Sequence, residues 1–252
     1  MQYEPREGDI VLTGIRAQAL VSRAIKLGSV LRHQKVVAWC ATVAQLAVIA
    51  ASVVLALTAV DGTLADIAVL VGGFVASHVA VWLVAAVGMR RDAFWARFSH
   101  AGVVVRHPQS GKLMIAEALA HGVCYSPIDK YDPENCRWIA DVVDDEHDLE
   151  QFRRFAGDVI DAKTRYGFVV FLSLFVYCVT ASLTFLPTIV IMQSGTAICS
   201  GFVCDALRPA GYIWRREAFF MMPADIVDDF IELRGGDPLV AAARPRTLVG
   251  AG

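Results

Sequence analysis

The stretch that decides the fold of this chain is residues 196–207, TAICSGFVCDAL, because it places a thiol where a helix begins. A β-branched residue and small residues lead into Cys199, and the residues after it have the pattern of an amphipathic helix. A thiol at a helix N-terminus lies at the positive end of the helix dipole, which lowers its pKa. Cys199 is therefore a candidate nucleophile, and a small buried cysteine is the structural alternative.

Two stretches earlier in the chain supply the partners that such a nucleophile needs. Residues 98–105, FSHAGVVV, predict a strand with His100 near its start, and residues 112–119, KLMIAEAL, predict the returning strand of a hairpin. The returning strand carries Glu117. His121, which follows that strand, is the alternative third member.

These residue types suit nucleophilic acyl transfer. An imidazole can hold the proton of the thiol and later deliver it to a leaving group, and a carboxylate on its far ring nitrogen fixes the tautomer. The backbone N–H of Cys199, at the helix start, is placed to help bind an oxyanion.

Composition points to a membrane. Apolar residues make up 56% of the 252 residues, and the mean hydropathy is +0.51, whereas soluble chains contain about 45–50% apolar residues. Residues 36–60 and 67–89 carry no charge, and each run exceeds the ~20 residues that a helix needs to cross a bilayer. We therefore predict a transmembrane hairpin over residues 36–89, with small residues for close helix packing at Gly72, Gly73, Ala76 and Ser77.

The charges beside the hairpin predict its orientation. Basic residues precede the first run and follow the second, and the turn between the runs carries two aspartates and no base. The positive-inside rule therefore places both flanks, and with them His100, in the cytoplasm.

A third uncharged run, residues 166–192, would by hydropathy alone be a third crossing. A single crossing would put Cys199 on the opposite side from His100, and the two could not exchange a proton. We therefore expect a buried helix that dips into the interface and a bent segment that returns to Cys199, with the break near Pro187.

The net charge and the cysteines of the chain limit the partners and cofactors that the sequence predicts. The net charge of −2 gives no reason to expect a nucleic acid partner. The N-terminus does not resemble a cleavable signal peptide, and we expect the six cysteines to be mostly reduced thiols. The spacing of Cys199 and Cys204 is a poor match to a zinc site, and the acidic residues 144–148 suit a solvated helix start, so no metal or cofactor is predicted.

The ordered set GDIVLTG, FSHAGVVV, MIAEALAHGV and ICSGFVCDAL, followed by AGY and PADI, resembles the circularly permuted branch of the NlpC/P60 superfamily. The resemblance covers most of the chain outside residues 36–89. It implies a papain-like core in which the histidine strand precedes the cysteine helix, with Cys199 as nucleophile, His100 as base and Glu117 as the polar third member. The sequence departs from many relatives at Gly201, where they carry an acidic residue.

The resemblance implies an α+β fold: a permuted papain-like core with an antiparallel sheet, interrupted by the inserted hairpin. The catalytic domain would be discontinuous, over residues 1–35 and 90–234, and residues 235–252 would form a flexible tail. In the family fold the insertion point lies beside the active site, so the hairpin would anchor the cleft at the membrane surface.

Three functions are compatible with these features. The first is a membrane-anchored cysteine hydrolase or acyltransferase that cleaves an amide or ester of a lipid, as the related lecithin:retinol acyltransferase-like proteins act on lipid acyl groups. The second is a peptidoglycan or peptide amidase of the NlpC/P60 type, which needs an outward-facing domain. The third is a catalytically inert membrane scaffold. The expected partners are membrane lipids and a small lipid or peptide substrate.

Overall fold

Along the described residues, three α-helices follow the first strand, and the next four strands follow one another with no α-helix between them. The structure is a computed structural model that describes residues 3–14, 20–59, 63–91, 94–143, 145–170, 173, 195–235 and 237–241. It divides into two units. The first comprises Met1–Ser22, Arg97–Leu172 and Ile191–Gly252, and the second comprises Arg23–Ala96 and Ser173–Val190.

The strands are β1 (Ile10–Thr13), β2 (His100–Arg106), β3 (Leu113–Leu119), β4 (Gly122–Pro127), β5 (Cys136–Ile139), β6 (Arg165–Tyr166), β7 (Thr196–Ala197) and β8 (Leu239–Ala241). The first unit is built on an antiparallel sheet with the strand order β4-β3-β2-β1-β5-β8. The antiparallel pair of β2 and β3 confirms the predicted hairpin. Strand β5 was not predicted.

Helices complete the α+β class that the sequence predicts. The acidic stretch near residue 145 begins a helix, as expected, because the Asp145 side chain accepts hydrogen bonds from the backbone N–H groups of His147 and Asp148. The helices are α1 (Leu20–His33), α2 (Lys35–Ala59), α3 (Thr63–Arg91), α4 (Glu146–Asp161), α5 (Cys199–Leu207) and α6 (Pro223–Arg234).

The prediction of a flexible tail from Gly235 needs correction for three residues. Leu239–Ala241 form β8, which pairs antiparallel with β5, with Val240 opposite Trp138. Gly235 adopts a left-handed conformation that ends α6, and this turn allows the chain to come back to the sheet. The tail beyond Ala241 lies outside the described residues.

Apolar residues on both faces of the central strands hold the sheet in the core. Every residue of β1 is buried, and so are six of the seven residues of β2. Side chains alternate between faces along a strand, so uninterrupted burial means that both faces are covered. The start of β2, which carries His100, is therefore enclosed by protein.

The second unit contains two helices that are long and apolar enough to cross a membrane. They are Lys35–Leu57, with mean hydropathy 2.3, and Ala65–Arg90, with mean hydropathy 2.2. Only 11% and 17% of their apolar windows are buried, so most of their apolar side chains point outward rather than into a core. A buried core helix of a soluble protein would show the opposite pattern.

A small residue lets α2 and α3 pack closely, as the sequence predicts. A Cβ placed on Gly73 would lie 1.9 Å from the Ser52 hydroxyl oxygen, so only glycine fits at this contact. Gly72, by contrast, has no neighbour within 4 Å of the same position. Close backbone approach of this kind replaces the hydrophobic driving force that is absent between helices in lipid.

The two ends of the third uncharged run meet in a short parallel ladder. Arg165 pairs with Thr196 and Tyr166 with Ala197, and the Gly167 N–H donates to the Ala197 carbonyl oxygen over 2.9 Å. Most of this run, including the predicted break at Pro187, lies outside the described residues.

Candidate active site

Cys199 is the first residue of α5, as the sequence predicts. Its backbone N–H belongs to the first turn, where N–H groups have no acceptor within the helix. Two hydrogen bonds fix the helix: the Ser200 hydroxyl donates to the Met221 carbonyl oxygen over 2.6 Å, and the Trp214 indole donates to the Cys204 carbonyl oxygen over 3.0 Å. The thiol therefore has a defined position at the positive end of the helix dipole.

His100 and Glu117 lie on adjacent strands, and their positions in the pairing register differ by two residues. Glu117 is directly opposite Gly102, so His100 is its diagonal neighbour on the same face. A Cβ on Gly102 would lie 2.7 Å from Ile115 Cγ2 and 3.2 Å from Glu117 Cβ. Because Gly102 has no side chain, the Glu117 carboxylate can cross above it to reach the imidazole.

The three predicted site residues form one hydrogen-bonded chain. His100 Nε2 lies 2.6 Å from Glu117 Oε2. The imidazole also interacts with the Cys199 side chain, and hydrogen bonding between the two groups shifts the pKa of both. His121, the alternative third member, is exposed in the turn between β3 and β4. Glu117, and not His121, is therefore the partner of His100.

The Cys199–His100 pair is almost completely enclosed, with exposed fractions of 3% and 4%. Burial by itself raises the pKa of the thiol, but hydrogen bonds from His100 and from the backbone N–H groups of Ala101 and Ser200 hold that pKa below its ordinary value. Burial by itself lowers the pKa of His100, and its hydrogen bonds with Cys199 and Glu117 raise that pKa to about 9. These opposite shifts favour a thiolate–imidazolium pair near neutral pH.

Glu117 is fully buried and accepts hydrogen bonds from several donors. Lys130 Nζ lies 2.5 Å from Oε1, and the Tyr131 hydroxyl donates to Oε2. Burial by itself raises the pKa of this carboxyl, but hydrogen bonds from His100, Lys130 and Ser126 lower that pKa to about 2. The carboxylate is therefore ionised and its orientation is fixed.

Sequence reasoning missed Lys130 and Tyr131. Lys130 ends the short 3₁₀ turn Ile128–Lys130 that follows β4, and Tyr131 comes directly after this turn. Nothing in the local pattern PIDKYDP distinguishes them from a solvated loop. Tyr166, from β6, was also missed as a site residue; burial raises the pKa of its phenol, and the nearby Cys199 sulfur raises it further. These three residues reach the site only through the folding of distant segments.

Packing explains why residue 201, at which the sequence departs from the pattern of the family that it resembles, is a glycine. A Cβ at this position would lie 2.8 Å from the Ala218 carbonyl oxygen and 3.1 Å from Ile198 Cγ1. An acidic side chain, which the resemblance would imply at this position, therefore cannot fit without moving the backbone near Ala218. In this chain Glu117, on β3, supplies the carboxylate of the site.

A cleft of about 300 Å³ borders the segment that leads into Cys199. Its wall combines apolar side chains with a charged group in which Arg208 lies 3.2 Å from Asp205 and 4.0 Å from Glu217. Its volume is at the lower end of small-molecule sites. The lining residues are Val170, Thr196, Ala197, Ile198, Gly201, Asp205, Arg208, Glu217, Ala218 and Phe219.

Over the described ranges, no cluster of three or more His, Cys, Asp or Glu side chains is placed to hold a metal ion. The five cysteines in these ranges, Cys40, Cys124, Cys136, Cys199 and Cys204, are free thiols. Comparison of the chain with protein-family models, curated proteins and solved structures gave no match.

Proposed function

We propose that this protein is a membrane-anchored cysteine hydrolase or acyltransferase that cleaves an amide or ester bond of a lipid-type substrate. The observation that carries the proposal is the buried hydrogen-bonded chain from Cys199 through His100 to Glu117. Nucleophile, base and orienting group in this order are the elements of covalent acyl transfer on unrelated folds.

The geometry supports the following reaction. The Cys199 thiolate attacks the carbonyl carbon, and the N–H groups at the start of α5 stabilise the oxyanion that forms. The His100 imidazolium gives its proton to the leaving alcohol or amine, the bond to the leaving group breaks, and a thioester remains on Cys199. Neutral His100 then takes a proton from water or another acceptor as that group attacks the thioester, and the Cys199 thiolate is released.

The order and packing of the elements support the resemblance to the permuted papain-like branch. The histidine strand β2 precedes the cysteine helix α5 in the chain, and the strands form an antiparallel sheet. Glu117 on β3 takes the place of the polar third member. We assign the chain to this branch as part of the proposal, with Cys199 as nucleophile, His100 as base and Glu117 as the polar third member.

The preference for a lipid substrate rests on α2 and α3. A site that shares its chain with two lipid-facing helices is confined to a membrane surface, where acyl lipids are the most concentrated esters and amides. The basic flanks of the hairpin favour a cytoplasmic site.

An acyl-enzyme trapping experiment tests the catalytic part. Full-length protein in phospholipid vesicles is incubated with acyl esters and N-acyl amides, quenched in acid and analysed by intact mass. We expect the mass to increase by one acyl group, with the label on the Cys199 peptide. Cys199→Ala, which has no nucleophilic atom at this position, is expected to lack this adduct.

The choice of substrate in this experiment separates the alternatives. Acylation from lipid esters or amides supports the proposal, and acylation from N-acyl peptides alone would favour the peptide amidase. Absence of any adduct across both substrate sets, with Cys204→Ala as a control for the same helix, would leave the inert scaffold as the better description.

Alkaline carbonate extraction tests the membrane anchor. The wild-type chain is expected to stay in the membrane pellet, because α2 and α3 present apolar side chains outward. Leu46→Arg combined with Val75→Arg, at outward positions of these helices, is expected to release it, since each arginine near a helix centre costs about 3 kcal/mol of insertion. Ile213→Arg, at a 96% exposed site of the first unit, is the matched control; release of the wild type would refute the anchor.

A further inference from the structure

We propose that Lys130 is a positioning residue of this site: its ammonium neutralises the Glu117 carboxylate and so limits how strongly that carboxylate holds the proton on His100. The inference rests on the proposed function and names a residue that a Cys–His–Glu description leaves out.

The two oxygens of Glu117 are divided between different partners. Oε1 accepts a hydrogen bond from Lys130 Nζ over 2.5 Å. Oε2 accepts hydrogen bonds from His100 Nε2, over 2.6 Å, and from the Tyr131 hydroxyl. Lys130 Nζ also lies 3.0 Å from the Ser126 hydroxyl, which holds it in place. Lys130 therefore does not compete with His100 for an oxygen, and its effect on the imidazole is exerted through the shared carboxylate.

Burial strengthens the electrostatic effect of the Lys130 ammonium on the Glu117 carboxylate. The Glu117 side chain has no exposed surface, and the Lys130 side chain is 32% exposed, so water screens the pair only from the lysine side. A thiolate, an imidazolium, a carboxylate and an ammonium together carry no net charge. Removing the ammonium would leave one uncompensated negative charge in a low-dielectric site, and the nearest group able to offset it is the His100 imidazolium.

The catalytic consequence concerns proton delivery. In the proposed reaction His100 must give its proton to the leaving group, and a general acid works best when its pKa lies near the operating pH. A carboxylate without Lys130 would hold the imidazolium more firmly and slow that transfer. Cys199 on α5 and Glu117 on β3 act on His100 directly. The titratable groups that act on these two residues or on Tyr131 are Tyr166 on β6, Cys136 on β5, and Lys130 and Tyr131 after β4.

The test is the titration of His100 in full-length protein in lipid nanodiscs. Side-chain ¹⁵N-labelled histidine reports the protonation of each imidazole, and the His100 signal is assigned by its loss in His100→Gln. We expect Lys130→Gln, which keeps hydrogen-bond donors but removes the charge, to raise the pH of His100 deprotonation by about one unit. In Lys130→Arg, which keeps the charge, His100 is expected to lose its proton at a pH close to that of the wild type.

Tyr131→Phe separates charge from hydrogen bonding, because it removes a donor to Oε2 without changing the charge. Its shift is expected to be smaller than that of Lys130→Gln. Equal shifts in Lys130→Gln and Lys130→Arg, or no shift in Lys130→Gln, would overturn the inference. The titration needs no turnover, so it succeeds or fails independently of acyl-enzyme trapping, which decides the proposed function.

Discussion

Cys199 is expected to react with iodoacetamide at pH 7 about ten times faster than Cys124, Cys136 and Cys204, and His100→Ala is expected to remove this advantage. The alkylating species is the thiolate, and the His100 imidazolium and the N–H groups of Ala101 and Ser200 stabilise it. Burial raises the pKa of Cys136 to about 12 and that of Cys204 well above its ordinary value. The measurement is the labelling rate of each cysteine peptide by mass spectrometry between pH 5 and pH 9.

Two controls make this experiment decisive. Cys204→Ala removes a second buried thiol from the same helix and is expected to leave the labelling of Cys199 unchanged. The small reagent is required because only 3% of Cys199 is exposed, and a reagent too large to enter would report access rather than ionisation. Equal labelling of Cys199 with and without His100 would show that no thiolate–imidazolium pair forms.

Glu117→Ala is expected to lower the free energy of unfolding by about 3–5 kcal/mol, as the removal of one partner from a buried ion pair does. The substitution leaves the donors of His100, Lys130 and Tyr131 without their common acceptor in the interior. The measurement is urea unfolding of the solubilised protein at pH 7, followed by tryptophan fluorescence. Glu150→Ala is the matched control, because Glu150 is an exposed carboxylate with only a surface contact to Arg154.

The pH dependence of the free energy of unfolding gives a second measure of the stabilisation by the Glu117 carboxylate. Its pKa is about 2 in the folded chain and 4.5 for an ordinary glutamate, so the stabilisation is fully present above pH 4.5 and is lost as the pH falls toward 2. Glu117→Gln cannot ionise and is expected to show a smaller loss over this window. If wild type and Glu117→Gln lost stability in parallel, the carboxylate would not be the ionised acceptor described here.

Local patterns in the chain were enough to place the three predicted site residues on their strands and helix, and the resemblance supplied their roles. The helix start at Cys199, the strand start at His100 and the hairpin that carries Glu117 are each set by short-range spacing of apolar and turn residues. The two helices long enough to cross a membrane can also be predicted from local sequence, because their length and the absence of charge define them. Strands β5 and β8 were missed because each is too short to show a period and is held by pairing with distant strands.

What the sequence by itself determined is therefore the α+β class, the apolar hairpin and the identity of the cysteine, the histidine and the glutamate. Only the tertiary structure decided that Lys130 and Tyr131 saturate Glu117, that Gly201 must be a glycine, and that both ends of the third uncharged run meet at one ladder. The physical reason is that secondary structure follows from neighbours along the chain, whereas the charge balance of a buried site follows from neighbours in space.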